Sequence, residues 1–198
     1  MKRFLLATSA TAFLSLLAPQ AAQASGWEID ASHSVAAFSV RHLMITNVRG
    51  ELGKVAGTIN LDDKDITKST VEATIEVAAI NTRDAKRDEH LRSPDFFDVA
   101  KFPTMTFKST KVEKAGAGLK VTGTLTMRGV SKEVVLSVEG PAPAVKDPWG
   151  NTKSGFTATT KLNRKDFGVQ WNKSIDGGGV VVGDEVSVTI ELEVVKKK

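Results

Sequence analysis

The sequence predicts an all-β chain, a single antiparallel barrel of eight strands with a short helical insert near residues 82–98. Three observations carry that expectation. Polar and apolar residues alternate over most of the chain, which is the period of a strand with one buried and one wet face. Connections are short and rich in turn residues, so consecutive strands pair antiparallel. One charged stretch, Arg83 to Arg92, breaks the alternation with good helix formers before Pro94 interrupts it.

The first residues read as a targeting segment. Lys2 and Arg3 form a positive start, and Phe4 to Ala18 form an apolar run too short to span a bilayer. Ala22-Gln23-Ala24 then offers a small-residue cleavage site. Residues 1–24 are therefore expected to be a signal peptide that is removed, and residues 25–198 one exported domain. Without Lys2 and Arg3 the 27 basic residues fall to 25 against 23 acids, and the net charge falls from +4 to +2. So small an excess argues weakly for an anionic partner, and no nucleic-acid partner is expected. The chain has no cysteine. Disulfides, thiol catalysis and thiolate metal sites are excluded, and stability must come from buried apolar area.

Eight principal strands are expected at about 35–42, 50–61, 70–80, 104–113, 119–127, 133–140, 154–163 and 185–195. The clearest are Val71, Ala73, Ile75, Val77 and Ala79, and the run Val186, Val188, Ile190, Leu192 and Val194. Turns fall at Asp62-Asp63-Lys64, Ala115 to Gly118 and Arg128-Gly129. Two longer irregular segments, Pro141 to Asn151 and Asp166 to Gly183, read as mouth or edge loops. Such strands can form a two-sheet sandwich or a closed barrel. Several runs reach about 11 residues, or about 36 Å at about 3.3 Å per residue, and that length favours the barrel. Gly57 and Gly123 interrupt two apolar faces. They serve either as bends for closure or as room for a ligand. Within the insert, Asp84, Arg87, Asp88 and Arg92 stand at helical spacing, consistent with a short solvated helix.

Chemistry-bearing motifs are scarce. His33, His42 and His90 are the three histidines, and they fall on different elements without the tight spacing of a metal-binding pair. No metal and no cofactor are expected. A nucleophile elbow and a phosphate-cradling glycine loop are both missing from the sequence. Binding is favoured over catalysis. His42 shares strand parity with Phe38 and Val40, and so points inward near one barrel end.

Trp27-Glu28-Ile29-Asp30 followed by His33-Ser34, Phe38, Val40 and His42 resembles the opening of the YceI-like polyisoprenoid-binding family. Ile80-Asn81-Thr82, Arg87 to Ser93, Asp95-Phe96-Phe97-Asp98 and Pro103 continue the resemblance. Gly123 to Thr126, Gly129 to Lys132, Asp147-Pro148-Trp149-Gly150, Arg164 to Gly168 and Gly183 to Val186 complete it. One departure is the segment Met44 to Val48, which lacks the glycine that the pattern leads one to expect before Gly50. The resemblance implies an elongated lipocalin-like barrel in the periplasm that binds, sequesters or transports a long-chain isoprenoid lipid, either a polyisoprenoid or an isoprenoid quinone. It implies no enzymatic turnover and favours Gly57 and Gly123 as cavity-forming. Expected wall residues are Phe38, Val40, Val77, Met105, Phe107, Leu125, Phe156 and Ile190, with His42 meeting a polar head group at one end. Phe96 and Phe97 are expected to anchor the helix and cover the ligand. Expected partners are the isoprenoid lipid or quinone and a transient membrane contact, with the chain a monomer or homodimer. Two alternatives stay open: an enzyme acting on a lipid or quinone through His42 or His90, and a filled barrel that serves as a protein-interaction module.

Overall fold

The computed structural model describes residues 24–198. The expected signal peptide lies outside the described residues except for Ala24, which begins the first strand. The elements are β1 (Ala24–Ile29), β2 (Val35–His42), β3 (Thr46–Glu51), β4 (Val55–Asp62), β5 (Thr70–Glu76), α1 (Ala85–Arg92), β6 (Thr104–Ala115), β7 (Gly118–Met127), β8 (Val130–Glu139), β9 (Val145–Lys146), β10 (Thr152–Asn163) and β11 (Val182–Lys196). Among the described residues, no helix is long and apolar enough to cross a membrane.

The ring β1–β4–β5–β6–β7–β8–β10–β11 returns to β1 through antiparallel pairs, closing an eight-stranded barrel. Closure removes the unpaired sheet edges that invite association. The fifteen-residue β11 is where the wall forks. One of its edges pairs with β10 along residues 185–195. Its other edge pairs with β1 through residues 194–196 and with β2 through residues 182–191. The β2–β3 hairpin thus forms the wall near one end, called here the mouth, while β1 and β4 form it near the other.

The fork explains the insert. Among the described residues, the outer edge of β3 pairs only with Asn81, which exchanges two 2.9 Å backbone bonds with Glu51. Residues 77–103 fill the seam left between β3 and the start of β6. Asp84 caps α1, its carboxylate accepting from the Arg87 N–H at 3.0 Å. The buried Asp88 accepts hydrogen bonds from the Thr82 N–H and hydroxyl, and Arg87 Nε donates to that hydroxyl at 2.7 Å. The charged helix is thus fastened through a polar triad to Thr82, next to Asn81, whose backbone joins the insert to β3. The expected helix at 82–98 is correspondingly shorter, ending at Ser93 before Pro94.

The expected strand 50–61 is two strands, because the chain crosses from beside β2 to beside β1. Leu52 N–H donates to Ala36 O at 2.8 Å, and Glu76 N–H to Lys54 O at 3.0 Å. The expected strand 70–80 stops at Glu76, where a 3-10 turn over Val77–Ala79 starts the insert. In β6 a register shift between Ser109 and Lys111 changes which residues face inward, so Met105 and Val112 are both buried despite opposite parity.

The interior divides along the barrel axis. Away from the mouth, Trp27, Ile29, Ile59, Val112, Val121, Phe156 and Val194 pack into a filled core. Nearer the mouth, Val77, Met105, Met127, Val134 and Phe167 form a second cluster. Neither glycine singled out in the sequence makes room for a ligand. A Cβ on Gly57 would stand 2.1 Å from Glu72 O, and one on Gly123 would stand 2.5 Å from the Phe107 ring and 2.6 Å from Lys108 O. Both positions serve close strand approach, which corrects the cavity-forming expectation.

Candidate functional site

Above the second cluster the barrel is hollow. A cavity of about 470 Å³ lies between the inner wall and the insert, within the range of about 300–1,000 Å³ common for small-molecule sites. Its sides come from the inward faces of β2 and β11, with Phe38 and Val40 on one strand and Val186 and Val188 on the other. Met105 and Met127 form part of its base, and Leu91, Phe96 and Phe97 reach in from the insert. Along β11 a single apolar face thus lines the cavity at Val186 and Val188. The same face joins the packed core at Ile190, Leu192 and Val194.

Aromatic packing shapes the mouth. The His90 ring meets Phe96 and Trp171 edge-on, each at 5.0 Å between centroids, while Phe96 and Trp171 lie 5.3 Å apart. His90 Nε2 is also 2.8 Å from Asp95 Oδ2. These contacts tie α1 to the loop after β10 and give the cavity an aromatic wall at this end.

Arg164 is the organising charge. Its buried guanidinium donates Nε–H to Gly183 O at 2.9 Å and Nη1–H to Val169 O and Trp171 O at 2.7 and 2.9 Å. Nη2 reaches Val182 O at 3.3 Å and Asp184 Oδ1 at 3.4 Å. Burial pulls its pKa down, opposed by the Asp184 carboxylate. All five donors are spent on the mouth loop and the start of β11, so Arg164 holds wall residues in place and has no N–H left for a ligand. Arg87 spends Nε and Nη2 on Thr82, and Asp84 caps the helix N-terminus. Among the described residues, no side-chain hydrogen bond engages His42 or Lys86, and both line the cavity.

Of the residues expected on the wall, Phe38, Val40, His42 and Met105 line the cavity. Val77 is buried beside Met105, and Phe107 and Leu125 pack against the same cluster. They pair across β6 and β7 below the cavity. Phe156 and Ile190 sit in the filled half. Val186 and Val188 escaped the sequence reading although they share parity with Ile190, since parity names a face and not a depth. Leu91 and Trp171 were not expected on the wall, because a helix and a loop, not the alternation of a strand, supply them.

The three histidines do not converge. His33 stands far from the mouth, bonded to Asp30 at 2.9 Å, while His42 and His90 line the cavity. Among the described residues, Asp30, His33 and Glu193 are the one group of potential metal ligands within reach of one another. Lys153 Nζ already lies 2.6 Å from Glu193 Oε1 and 3.2 Å from Asp30 Oδ2, placing an ammonium between the acids.

Comparison with known proteins agrees with this architecture. A UPF0312 protein of Vibrio cholerae is 38% identical over 197 residues, covering 98% of this chain and 97% of its own. The crystal structure of a Campylobacter jejuni YCEI protein superposes with a TM-score of 0.67 at 35% identity, covering 80% of this chain and 90% of that one. A polyisoprenoid binding domain from Saccharophagus degradans shares the fold at 14% identity, with a TM-score of 0.59 and coverage of 86% and 98%. Residues 27–194 match the family model described as YceI-like domain, and the chain belongs to that family.

Proposed function

We propose that this protein binds and sequesters or transports a long-chain isoprenoid lipid, a polyisoprenoid or an isoprenoid quinone, in the periplasm and without turning it over. The observation that carries the reading is the apolar cavity of about 470 Å³ in a barrel whose other half is filled. The fold shared with a polyisoprenoid binding domain supports the choice of ligand, and the amino-terminal targeting pattern supports the compartment. In this reading Phe38, Val40 and Met105 contact the chain directly, with Phe96 and Phe97 over it and His42 near the head group. Val77, Phe107 and Leu125 back that wall, while Phe156 and Ile190 support it from the filled half. The protein works as a monomer or homodimer with transient membrane contact.

Affinity comes from apolar area removed from water, at about 25 cal/mol per Å². Each added isoprene unit tightens binding until the cavity is full, and further units then add little. Native purification of the mature protein, extraction into organic solvent and mass spectrometry identify the ligand. Repeated absence of any lipid, with no uptake of added prenyl quinone, overturns the reading. The enzymatic alternative rests on the His90–Asp95 pair at the cavity wall. Consumption of a bound quinone that stops in His90→Ala would favour it.

A further inference from the structure

The β2–β3 hairpin ends in a turn whose chemistry contradicts its geometry. Ile45 N–H donates to His42 O at 3.1 Å, closing a two-residue turn over Leu43 and Met44 with φ of 50° and 62°. A turn with both central φ positive favours Asn-Gly, because a Cβ is crowded there. The turn at Arg128-Gly129, with φ of 51° and 74°, meets that preference at its second position. At the mouth the chain instead places Leu43 and Met44 in the turn, and leaves Met44 with the neighbouring Ile45 in water. Ile45 is 75% exposed and Met44 49%. Backbone strain combined with exposed apolar surface points to a use outside the folded chain.

The surroundings keep this tip uncovered. Leu43 N–H donates to Val181 O at 2.8 Å, and Val181 N–H to Lys173 O at 2.9 Å, so the loop from Lys173 to Val181 runs beside it. That loop presents Gly177-Gly178-Gly179, and a Cβ on Gly179 would stand only 3.2 Å from Met44 Cγ. The charges around the mouth are mainly positive. Arg41, Lys86, Arg87, Arg164, Lys165 and Lys173 stand there against Asp84, Asp95, Asp176 and Asp184, of which Asp84 caps α1, Asp95 pairs with His90, and Asp184 pairs with Arg164 and Lys165. His42 and Val182, which pair at the base of the tip, line the cavity.

We propose that Met44 and Ile45 form a membrane-docking tip that seats the cavity mouth on an anionic phospholipid bilayer, so that a lipid passes between membrane and barrel without crossing water. Apolar side chains enter the head-group boundary while Arg41, Lys86 and Lys173 meet lipid phosphates. This inference rests on the lipid-carrier reading for its purpose, but the bilayer contact has its own readout.

Flotation of the mature protein with vesicles of phosphatidylethanolamine and phosphatidylglycerol tests it, with phosphatidylcholine vesicles as the comparison. The wild type is expected to float with the anionic vesicles and to be released by high salt. Met44→Asn with Ile45→Thr suits the turn geometry and spares the cavity lining. It is expected to bind vesicles on the order of tenfold more weakly, while prenyl quinone uptake from detergent and thermal stability are retained. Failure of the wild type to float overturns the proposal. So does undiminished flotation of the double variant, including the case where Trp149→Ala at the opposite end abolishes it instead. Uptake from detergent that fails in both proteins overturns the carrier reading and leaves the flotation result to be judged alone.

Discussion

Replacing Arg164 by methionine keeps a long side chain in the same space and removes five donors from the mouth loop and the start of β11. The three short bonds, 2.9 Å to Gly183 O, 2.7 Å to Val169 O and 2.9 Å to Trp171 O, are lost together. A hydrogen bond to a charged group contributes about 1.5–3 kcal/mol, and each carbonyl left buried without a partner adds a desolvation cost. Water entering from the mouth recovers part of that loss. The net expectation is about 3–5 kcal/mol, the range for removing one member of a buried ionic network. For a domain of this size that corresponds to a fall in Tm of roughly 10 °C, read by circular dichroism. Val169, Trp171 and Val182 line the cavity, so prenyl quinone uptake should weaken as well. Arg164→Lys is expected to fall between the two, because one ammonium has three donors and cannot span four carbonyls. A Tm within about 2 °C of wild type for the methionine variant, with uptake unchanged, would refute the assignment of Arg164 as the residue that builds the mouth.

Val188→Trp should obstruct the cavity and weaken isoprenoid uptake with little change in Tm, whereas Ile190→Trp, one step deeper on the same face, should overpack the core and cost about 1–3 kcal/mol; uptake and thermal denaturation of both variants check the boundary. Gly123→Ala should destabilise by about 2–3 kcal/mol, because the added Cβ meets the Phe107 ring and Lys108 O; a variant as stable as wild type in urea would refute the close approach. Asp30 is held down at about 2 from the usual 3.8, chiefly by the His33 hydrogen bond and also by Lys153. Because the folded pKa is the lower one, this stabilisation is full above the unfolded value and is lost as pH falls through about 4 to 2. After solvent screening it amounts to about 1 kcal/mol, and Asp30→Asn should flatten the stability profile measured over that window.

Much of this molecule was legible along the chain. The alternation in β5, β7 and β11, the turn residues at Arg128-Gly129 and the charged run closed by Pro94 settle strands, turns and a helix. They do so through local rules of side-chain period and backbone sterics. Phe38, Val40 and His42 could be placed on one inward face for the same reason. Depth along the barrel axis was not legible. Val188 and Ile190 are alike as residues and share parity, yet one lines the cavity and the other is packed, because emptiness depends on what stands across the barrel.

Two further features follow from contacts between distant segments. Arg164 reads as one more loop cation until the fold brings five acceptors around it. The insert reads as an isolated solvated helix until the fork at β11 leaves a seam beside β3 for it to fill. By itself the sequence determined the kinds of element and the inward faces, since those follow from neighbours along the chain. Only the tertiary structure decided which half of the barrel is hollow and which polar groups at its mouth remain unspent, since both depend on residues far apart in sequence meeting in space.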